Sequence, residues 1–212
     1  MAKISSATIR RLSRYYRSLA YAEERGVSTM SSEDLAQRIH LTAAQVRKDL
    51  SFFGAFGRRG LGYNVSDLKN NIARILGIDR TWNVAVIGAG NIGRALINFA
   101  QFKEQGFLMK LVLDNDSSKV GQKIGPLSVK HTDDLKKEVR NNKIDIAILC
   151  VPVEAAQKMV DALTAPEVGV KAILNFAPIS LSVPGGVYVT NENMAIEIEA
   201  LSFALTNPEF MR

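Results

Sequence analysis

The chain has 212 residues, 47% hydrophobic and 23% charged, with a net charge of +6. That length accommodates two compact domains, and no stretch approaches the roughly 20 apolar residues of a membrane span, so no membrane association is expected. One cysteine, Cys150, excludes a disulfide framework and any multi-cysteine metal site, and the apolar run 146–151 around it reads as a buried strand. His40 and His131 have no ligand-like neighbours, so neither a metal nor a catalytic centre is expected at them. The opening Met1-Ala2-Lys3-Ile4-Ser5-Ser6 lacks the apolar run and cleavage site of a secretory signal, and a cytoplasmic location is expected.

The charge is unevenly placed. Residues 1–80 carry 14 Lys and Arg against 7 Asp and Glu, whereas the remainder carries 13 against 14. A basic first domain attracts polyanions through counterion release. Within it, Ile9, Leu12, Tyr16 and Leu19 recur at spacings of three and four, which predicts an amphipathic helix with Arg10, Arg11, Arg14 and Arg17 on its other faces. A second helix is predicted from Ser31-Ser32 to His40-Leu41, burying Leu35 and Ile39.

A third helix begins at Thr42-Ala43-Ala44-Gln45, which fits a capping box with Thr42 as N-cap. At about 100° per residue, Val46, Leu50 and Phe53 share one face, and Ala44, Arg47, Lys48 and Ser51 share the opposite one. Two helices joined by a short turn, the second with a small, polar and cationic outer face, form the helix-turn-helix arrangement that enters the major groove of DNA. The following Gly54-Ala55-Phe56-Gly57-Arg58-Arg59-Gly60-Leu61-Gly62-Tyr63 reads as a glycine-punctuated hairpin, a wing whose tip arginines suit a narrow minor groove. Arg10, Ala44, Arg47, Lys48, Ser51, Arg58, Arg59 and Tyr63 are the expected DNA-binding residues.

The second module starts with a strand at 82–87 and a helix over 92–105, with Ala95, Leu96 and Phe99 on its apolar side. Between them lies Gly88-Ala89-Gly90-Asn91-Ile92-Gly93. In such a loop the first glycine permits the tight turn, the second lets the backbone approach a pyrophosphate, and the third allows helix to pack on strand. The reading requires an acid about 20 residues on, at the end of a second strand; Leu111-Val112-Leu113-Asp114 supplies it, with Asp114 preferred to Asp116. A carboxylate there accepts ribose hydroxyls and repels a 2′-phosphate, favouring NAD⁺ and NADH over their phosphorylated counterparts.

Further strands at 145–151, 172–176 and 187–190, with helices at 132–141 and 153–165, predict an α/β, doubly wound parallel sheet. Val151-Pro152 and Asn175 end two of these strands, on the edge where ligands bind. Met194, Ile198, Leu201 and Leu205 predict an amphipathic final helix, taken as a contact to a second subunit because helix-turn-helix proteins bind paired half-sites as dimers. Three domains follow: residues 1–80, 81–193 and 194–212. The competing readings are a small NAD-dependent dehydrogenase, disfavoured by the lack of a His–carboxylate pair or a substrate domain, and a regulator sensing another nucleotide such as NADPH or a CoA.

On the stretches Gln45-Val46-Arg47-Lys48-Asp49-Leu50-Ser51, Phe56-Gly57-Arg58-Arg59-Gly60-Leu61-Gly62-Tyr63 and Gly88-Ala89-Gly90-Asn91-Ile92-Gly93-Arg94-Ala95-Leu96, the chain resembles the Rex family of redox-sensing transcriptional repressors over nearly its whole length. The resemblance implies a homodimer with winged-helix and Rossmann domains and an exchanged terminal helix. It implies binding to operator DNA, an inverted repeat, when NADH is scarce, and release when NADH binds. It assigns Arg47 and Lys48 to the major groove and nearby phosphates, and Arg58 and Arg59 to the minor groove. It also implies a switch network at Arg17, at a tyrosine position near the cofactor that is Phe99 here, and at an aspartate position before the last helix that is Asn193. With these residues, Arg17 and Asn193 could share a hydrogen bond but not an ion pair, and Phe99 has no hydroxyl to join them.

Overall fold

The computed structural model describes residues 4–57 and 60–210, and the chain divides into two compact units, Met1–Arg80 and Thr81–Arg212. Arg58 and Arg59 lie outside the described residues.

In the first unit α1 (Ser6–Glu24) starts at Ser5, whose hydroxyl accepts the Thr8 N–H at 3.2 Å. It buries Thr8, Leu12, Tyr15, Leu19 and Ala22. The buried stripe is rotated from the expected one: Ile9 is 48% exposed, and Tyr15 takes the interior place. The cause is polar, since the Tyr15 hydroxyl donates to Asp49 at 2.7 Å inside the unit. A two-residue strand, β1 (Thr29–Met30), precedes α2 (Ser32–Arg38) and α3 (Ala43–Ser51).

The full capping box sits at α2, where Ser31 and Asp34 bond reciprocally. At α3 only half the expected box forms: Thr42 accepts the Gln45 N–H at 3.2 Å, but the Gln45 amide turns inward to Asp49 at 2.8 Å. The chain then returns through β2 (Tyr63–Asn64), antiparallel to β1 with Met30 opposite Tyr63. Among the described residues the strand pairing lies between β1 and β2 and none lies within 54–63; the tip of the expected hairpin, Arg58 and Arg59, is outside the described residues. Gly57 has φ +82, and a Cβ on it would lie 2.6 Å from the Gly62 carbonyl, so Gly57 and Gly62 approach each other closely. A helix not anticipated from the sequence, α4 (Val65–Leu76), is capped by Asn64 and ends at left-handed Gly77; it packs Leu68 and Ile72 into the core beside α1.

Asp49 is fully buried, and every donor around it is aimed at it. Arg11 contributes Nε at 2.6 Å and Nη2 at 2.8 Å, alongside Tyr15 and Gln45. Burial pushes the carboxyl up, but these donors outweigh it and hold Asp49 below the ordinary carboxylate range, while the same desolvation raises the Tyr15 phenol.

The second unit runs β3 (Trp82–Ile87), α5 (Asn91–Ile97), α6 (Ala100–Glu104), β4 (Phe107–Asp114), β5 (Lys123–Ile124), β6 (Leu127–Ser128), β7 (Lys130–His131), a 3-10 turn into α7 (Leu135–Asn141), β8 (Ile146–Leu149), α8 (Val153–Thr164), β9 (Ala172–Asn175), β10 (Tyr188–Asn191) and α9 (Met194–Thr206). Six strands form a parallel sheet in the order β7-β4-β3-β8-β9-β10, the doubly wound order with its switch point between β3 and β8. Successive residues of β3 feed opposite cores: Ala85 and Ile87 pack with Leu135, Val160 and Leu163, and Val84 and Val86 with Ile97, Ile124 and Val129.

Two sequence expectations are corrected here. The helix expected over 92–105 breaks after Ile97: Phe99 is extended (φ −78, ψ 98), and the Asn98 amide bonds back to the Arg94 carbonyl at 3.0 Å. Gly125, between β5 and β6, approaches the Asn98 side chain so closely that a Cβ would lie 2.9 Å from it, so the crossing hairpin stops the helix. Ala95 and Phe99 are exposed, and Phe99 stacks edge-on against Phe102 with centroids 5.1 Å apart. Helix α9 carries two opposite apolar faces rather than one, Met194, Ile198, Leu201 and Leu205 on one and Ile196 and Phe203 on the other, with Glu197 and Glu199 between them; all six apolar side chains are exposed, Leu205 at 85%.

Asp49→Asn should lower stability by about 3 kcal/mol, because it leaves Arg11 without its buried partner, measured by urea denaturation followed by circular dichroism. A folded pKa below the usual value contributes stability above the unfolded pKa and loses it as pH falls through the folded one. The gap between wild type and variant should therefore be complete at neutral pH and close below about pH 4.

Candidate functional site

In the second unit, β3 delivers the chain into a loop whose shape depends on missing side chains. Gly88 has φ +104, its N–H donates to the Leu113 carbonyl at 2.7 Å, and a Cβ on it would lie 2.3 Å from the Cys150 carbonyl. A Cβ on Gly93 would lie 2.0 Å from the Gly88 carbonyl, whereas one on Gly90 would meet nothing within 4 Å. Two of the glycines thus hold the loop against the sheet, and the third keeps open ground in front of it. The Arg94 guanidinium closes the loop from behind, Nε donating to the Ala89 carbonyl at 3.1 Å and Nη2 to Gln122 at 2.9 Å.

Asp114, at the end of β4, is 5% exposed. Its Oδ2 accepts the Ala89 N–H at 2.8 Å and lies 3.1 Å from the Lys119 ammonium, and its Oδ1 accepts the Asp116 N–H at 2.9 Å. Burial raises its pKa, but the two backbone N–H groups and Lys119 hold it below the ordinary range, so it is ionised at neutral pH. Gly88, Gly90, Ile92, Asp114, Val151 and Pro152 converge on a cavity of about 630 Å³, within the size range of cofactor pockets. The open ground at Gly90 and the ionised acid opposite suit a dinucleotide: room for backbone to approach a pyrophosphate, and an acceptor for ribose hydroxyls.

The other sequence-predicted residues sit differently. Ala89 is buried behind the cavity, Gly93 lies beneath the loop, and neither Asn91 nor Phe99 reaches the cavity wall. Asn175 is fully buried and spent on its own loop, donating to the carbonyls of Ala177 and Ile179 and to Asn191, and accepting the Ala177 N–H. Its neighbour Phe176 forms the wall instead, with Lys119, Thr132 and Met159, which sequence reasoning missed. Lys119 carried a signal, an ammonium five residues after the ribose acid. Cys150 also lines the cavity, its thiol pushed up to about 12 by burial. Asn193 is the N-cap of α9, its Oδ1 accepting the Ala195 N–H at 3.0 Å.

In the first unit the outer face of α3 is as expected, with Ala44, Arg47, Lys48 and Ser51 exposed. Arg47 is braced: its Nη1 donates to Ser32 Oγ at 2.8 Å and to Glu33 Oε1 at 2.9 Å. Arg10 lies exposed on α1, as does Arg17, which borders a shallow cleft with Arg14, Arg38 and His40. Tyr63 is no surface contact. It is 8% exposed, its ring closes on Gly57, and burial raises its phenol. Among the described residues no group of three His, Cys, Asp or Glu could hold a metal ion, and no helix is long and apolar enough to cross a membrane.

Residues 3–51 match a family described as "Putative DNA-binding protein N-terminus", and residues 79–179 match the "CoA binding domain" family. A protein of Desulforamulus reducens named "Redox-sensing transcriptional repressor Rex" is 43% identical over 207 residues, 98% of each chain. One of Carboxydothermus hydrogenoformans with the same name is 46% identical over 201 residues, 95% of this chain and 96% of its own. Among solved structures, the RSP protein in complex with β-NAD⁺ and operator DNA superposes with a TM-score of 0.93 at 40% identity, covering 100% of this chain and 96% of its own. RSP in complex with β-NADH gives 0.87 at 38% identity, covering 100% and 98%. These relatives are named as repressors, not enzymes, and span both units with the helix-turn-helix and the doubly wound sheet in place: the chain belongs to the Rex family of redox-sensing transcriptional repressors.

Proposed function

We propose that this protein is a repressor that holds operator DNA when NADH is scarce and releases it when NADH binds. The observation that carries this reading is the pairing, in one chain, of a cationic α3 face with a cavity closed by ionised Asp114. The near-complete superposition on a relative solved with both NAD⁺ and operator DNA supports it. In the cavity, Gly90 admits the pyrophosphate, Asp114 accepts the adenosine ribose, and Val151 and Pro152 border the nicotinamide end. Ala89 and Gly93 shape the loop, and Ala89 also orients Asp114 through its N–H. When bound, NAD(H) supplies only a redox state to be recognised. The low-lying Asp114 carboxyl disfavours a 2′-phosphate and with it NADPH.

On the DNA side, Arg47, with Ala44 and Ser51 beside it, faces the major groove. Lys48 and Arg10 meet phosphates, and Arg58 and Arg59 enter the minor groove. The functional unit is a homodimer joined by α9, because a helix with six exposed large apolar side chains is stable only when covered. The switch is assigned to the positions of Arg17, Phe99 and Asn193, where Phe99 lacks the hydroxyl and Asn193 the charge of the family pattern. The protein works in the cytoplasm, where its cofactor and operator are found together. Release requires that the DNA-free conformation bind NADH more tightly than the DNA-bound one, by about 1.4 kcal/mol for each tenfold shift.

Fluorescence anisotropy on an inverted-repeat duplex at fixed salt should show release by NADH at concentrations where NAD⁺ has little effect; equal action of both cofactors would refute redox discrimination. Gly90→Ala should leave the melting temperature unchanged and weaken NADH binding by at least tenfold in calorimetry, whereas Gly93→Ala, which meets backbone, should lower the melting temperature itself. The double variant Leu201→Glu, Leu205→Glu should sediment as a monomer where the wild type sediments as a dimer.

A further inference from the structure

The brace on Arg47 is unexplained by stability. An exposed ion pair such as Arg47–Glu33 contributes little to stability. Its geometry is nonetheless specific. Both contacts use Nη1, which donates to Ser32 Oγ at 2.8 Å and to Glu33 Oε1 at 2.9 Å, and Ser32 Oγ in turn donates to Glu33 Oε2 at 3.1 Å. Among the described residues, Nε and Nη2 of Arg47 make no hydrogen bond.

The brace is itself anchored. Ser32 is buried in the first turn of α2, behind the capping box of Ser31 and Asp34, and it lines the same groove as the buried Tyr63 at the base of the glycine loop. Glu33 also lies in the first turn of α2, where the helix dipole favours its ionised form. Its own backbone N–H, Arg47 and Ser32 hold it below the ordinary carboxylate range. The group faces a groove of about 500 Å³ between the start of α2, α3 and the glycine loop.

A guanidinium is planar, so fixing one terminal nitrogen fixes the direction of the opposite edge. Here that edge is Nε with Nη2, two parallel N–H donors, the fork that matches O6 and N7 of guanine in the major groove. An unbraced arginine on the same helix could swing to a phosphate and would read no sequence. We propose that Glu33, backed by Ser32, is a positioning residue for Arg47: it holds the guanidinium in the orientation that reads a guanine and so confers base specificity without touching the base. The proposal rests on Arg47 as the base contact.

The test uses the full-length protein. Operators are selected from a random duplex library, and Kd is then measured for each single base-pair substitution of the selected site and for unrelated DNA. Glu33→Gln and Arg47→Ala should relax discrimination at the same base pair. The Glu33→Gln loss should be about 3- to 10-fold, part of what a bidentate contact supplies, with affinity for unrelated DNA unchanged or higher because a negative charge has gone. Ser32→Ala should weaken discrimination at the same position. If Arg47→Ala relaxes one base pair and Glu33→Gln none, the positioning role is overturned while the reading of Arg47 stands. If Glu33→Gln tightens binding to all sequences equally, Glu33 is only an electrostatic brake, and the proposal fails. If Arg47→Ala leaves the base profile intact, Arg47 is not the reader, and both ideas fall together.

Discussion

A carboxylate cannot be buried in a protein unless every oxygen finds a donor, because an uncompensated charge in a poorly polar interior costs several kcal/mol. Among the described residues two are buried, Asp49 and Asp114, one in each unit, and much of each unit is arranged around meeting that requirement. Asp49 projects from the inner side of α3 and is met by two nitrogens of Arg11, the Tyr15 hydroxyl and the Gln45 amide. Satisfying it ties α3 to α1 through directional bonds rather than by apolar contact alone, and that fixes which residues of α3 face outward. Asp114 gathers the Ala89 and Asp116 N–H groups and Lys119, and so shapes the nucleotide loop from within. Buried pairs of this kind add little net stability; what they supply here is geometry.

Much of this architecture was legible in the sequence because it rests on short-range rules. Gly88, Gly90 and Gly93 between a strand and a helix, with an acid at the end of the next strand, define the shape of the loop after β3 without tertiary information. The outer face of α3 followed from helical periodicity, and the sheet followed from alternating apolar runs and helices. Asp49 was also within reach. At about 100° per residue it falls only about 60° from Val46, on the side the hydrophobic pattern marks as interior. Its charge, next to Lys48, argued for solvent instead.

What escaped the sequence depended on contacts between distant segments. β1 and β2 are two residues each, too short for periodicity, and exist because each supplies the other's ladder partner. The break between α5 and α6 is imposed by a hairpin crossing at Gly125, some 27 residues beyond Asn98. Asn175 stands at the predicted strand end, but a buried amide with three donor contacts and an accepted N–H has nothing left for a ligand. The stripe read at α9 is only part of its apolar surface, because Ile196 and Phe203 form a second apolar face opposite Met194, Ile198, Leu201 and Leu205.

The sole thiol adds a consequence of its own. Cys150 stands at the cavity wall, yet desolvation holds it protonated at any physiological pH, and oxidants attack thiolates rather than thiols. Peroxide therefore finds no thiolate to attack at this position. The redox state of the cell reaches it as a reversible occupancy, which can be reset as fast as the cofactor exchanges and without any repair enzyme, and an oxidative burst that leaves the nicotinamide pool unchanged passes unrecorded.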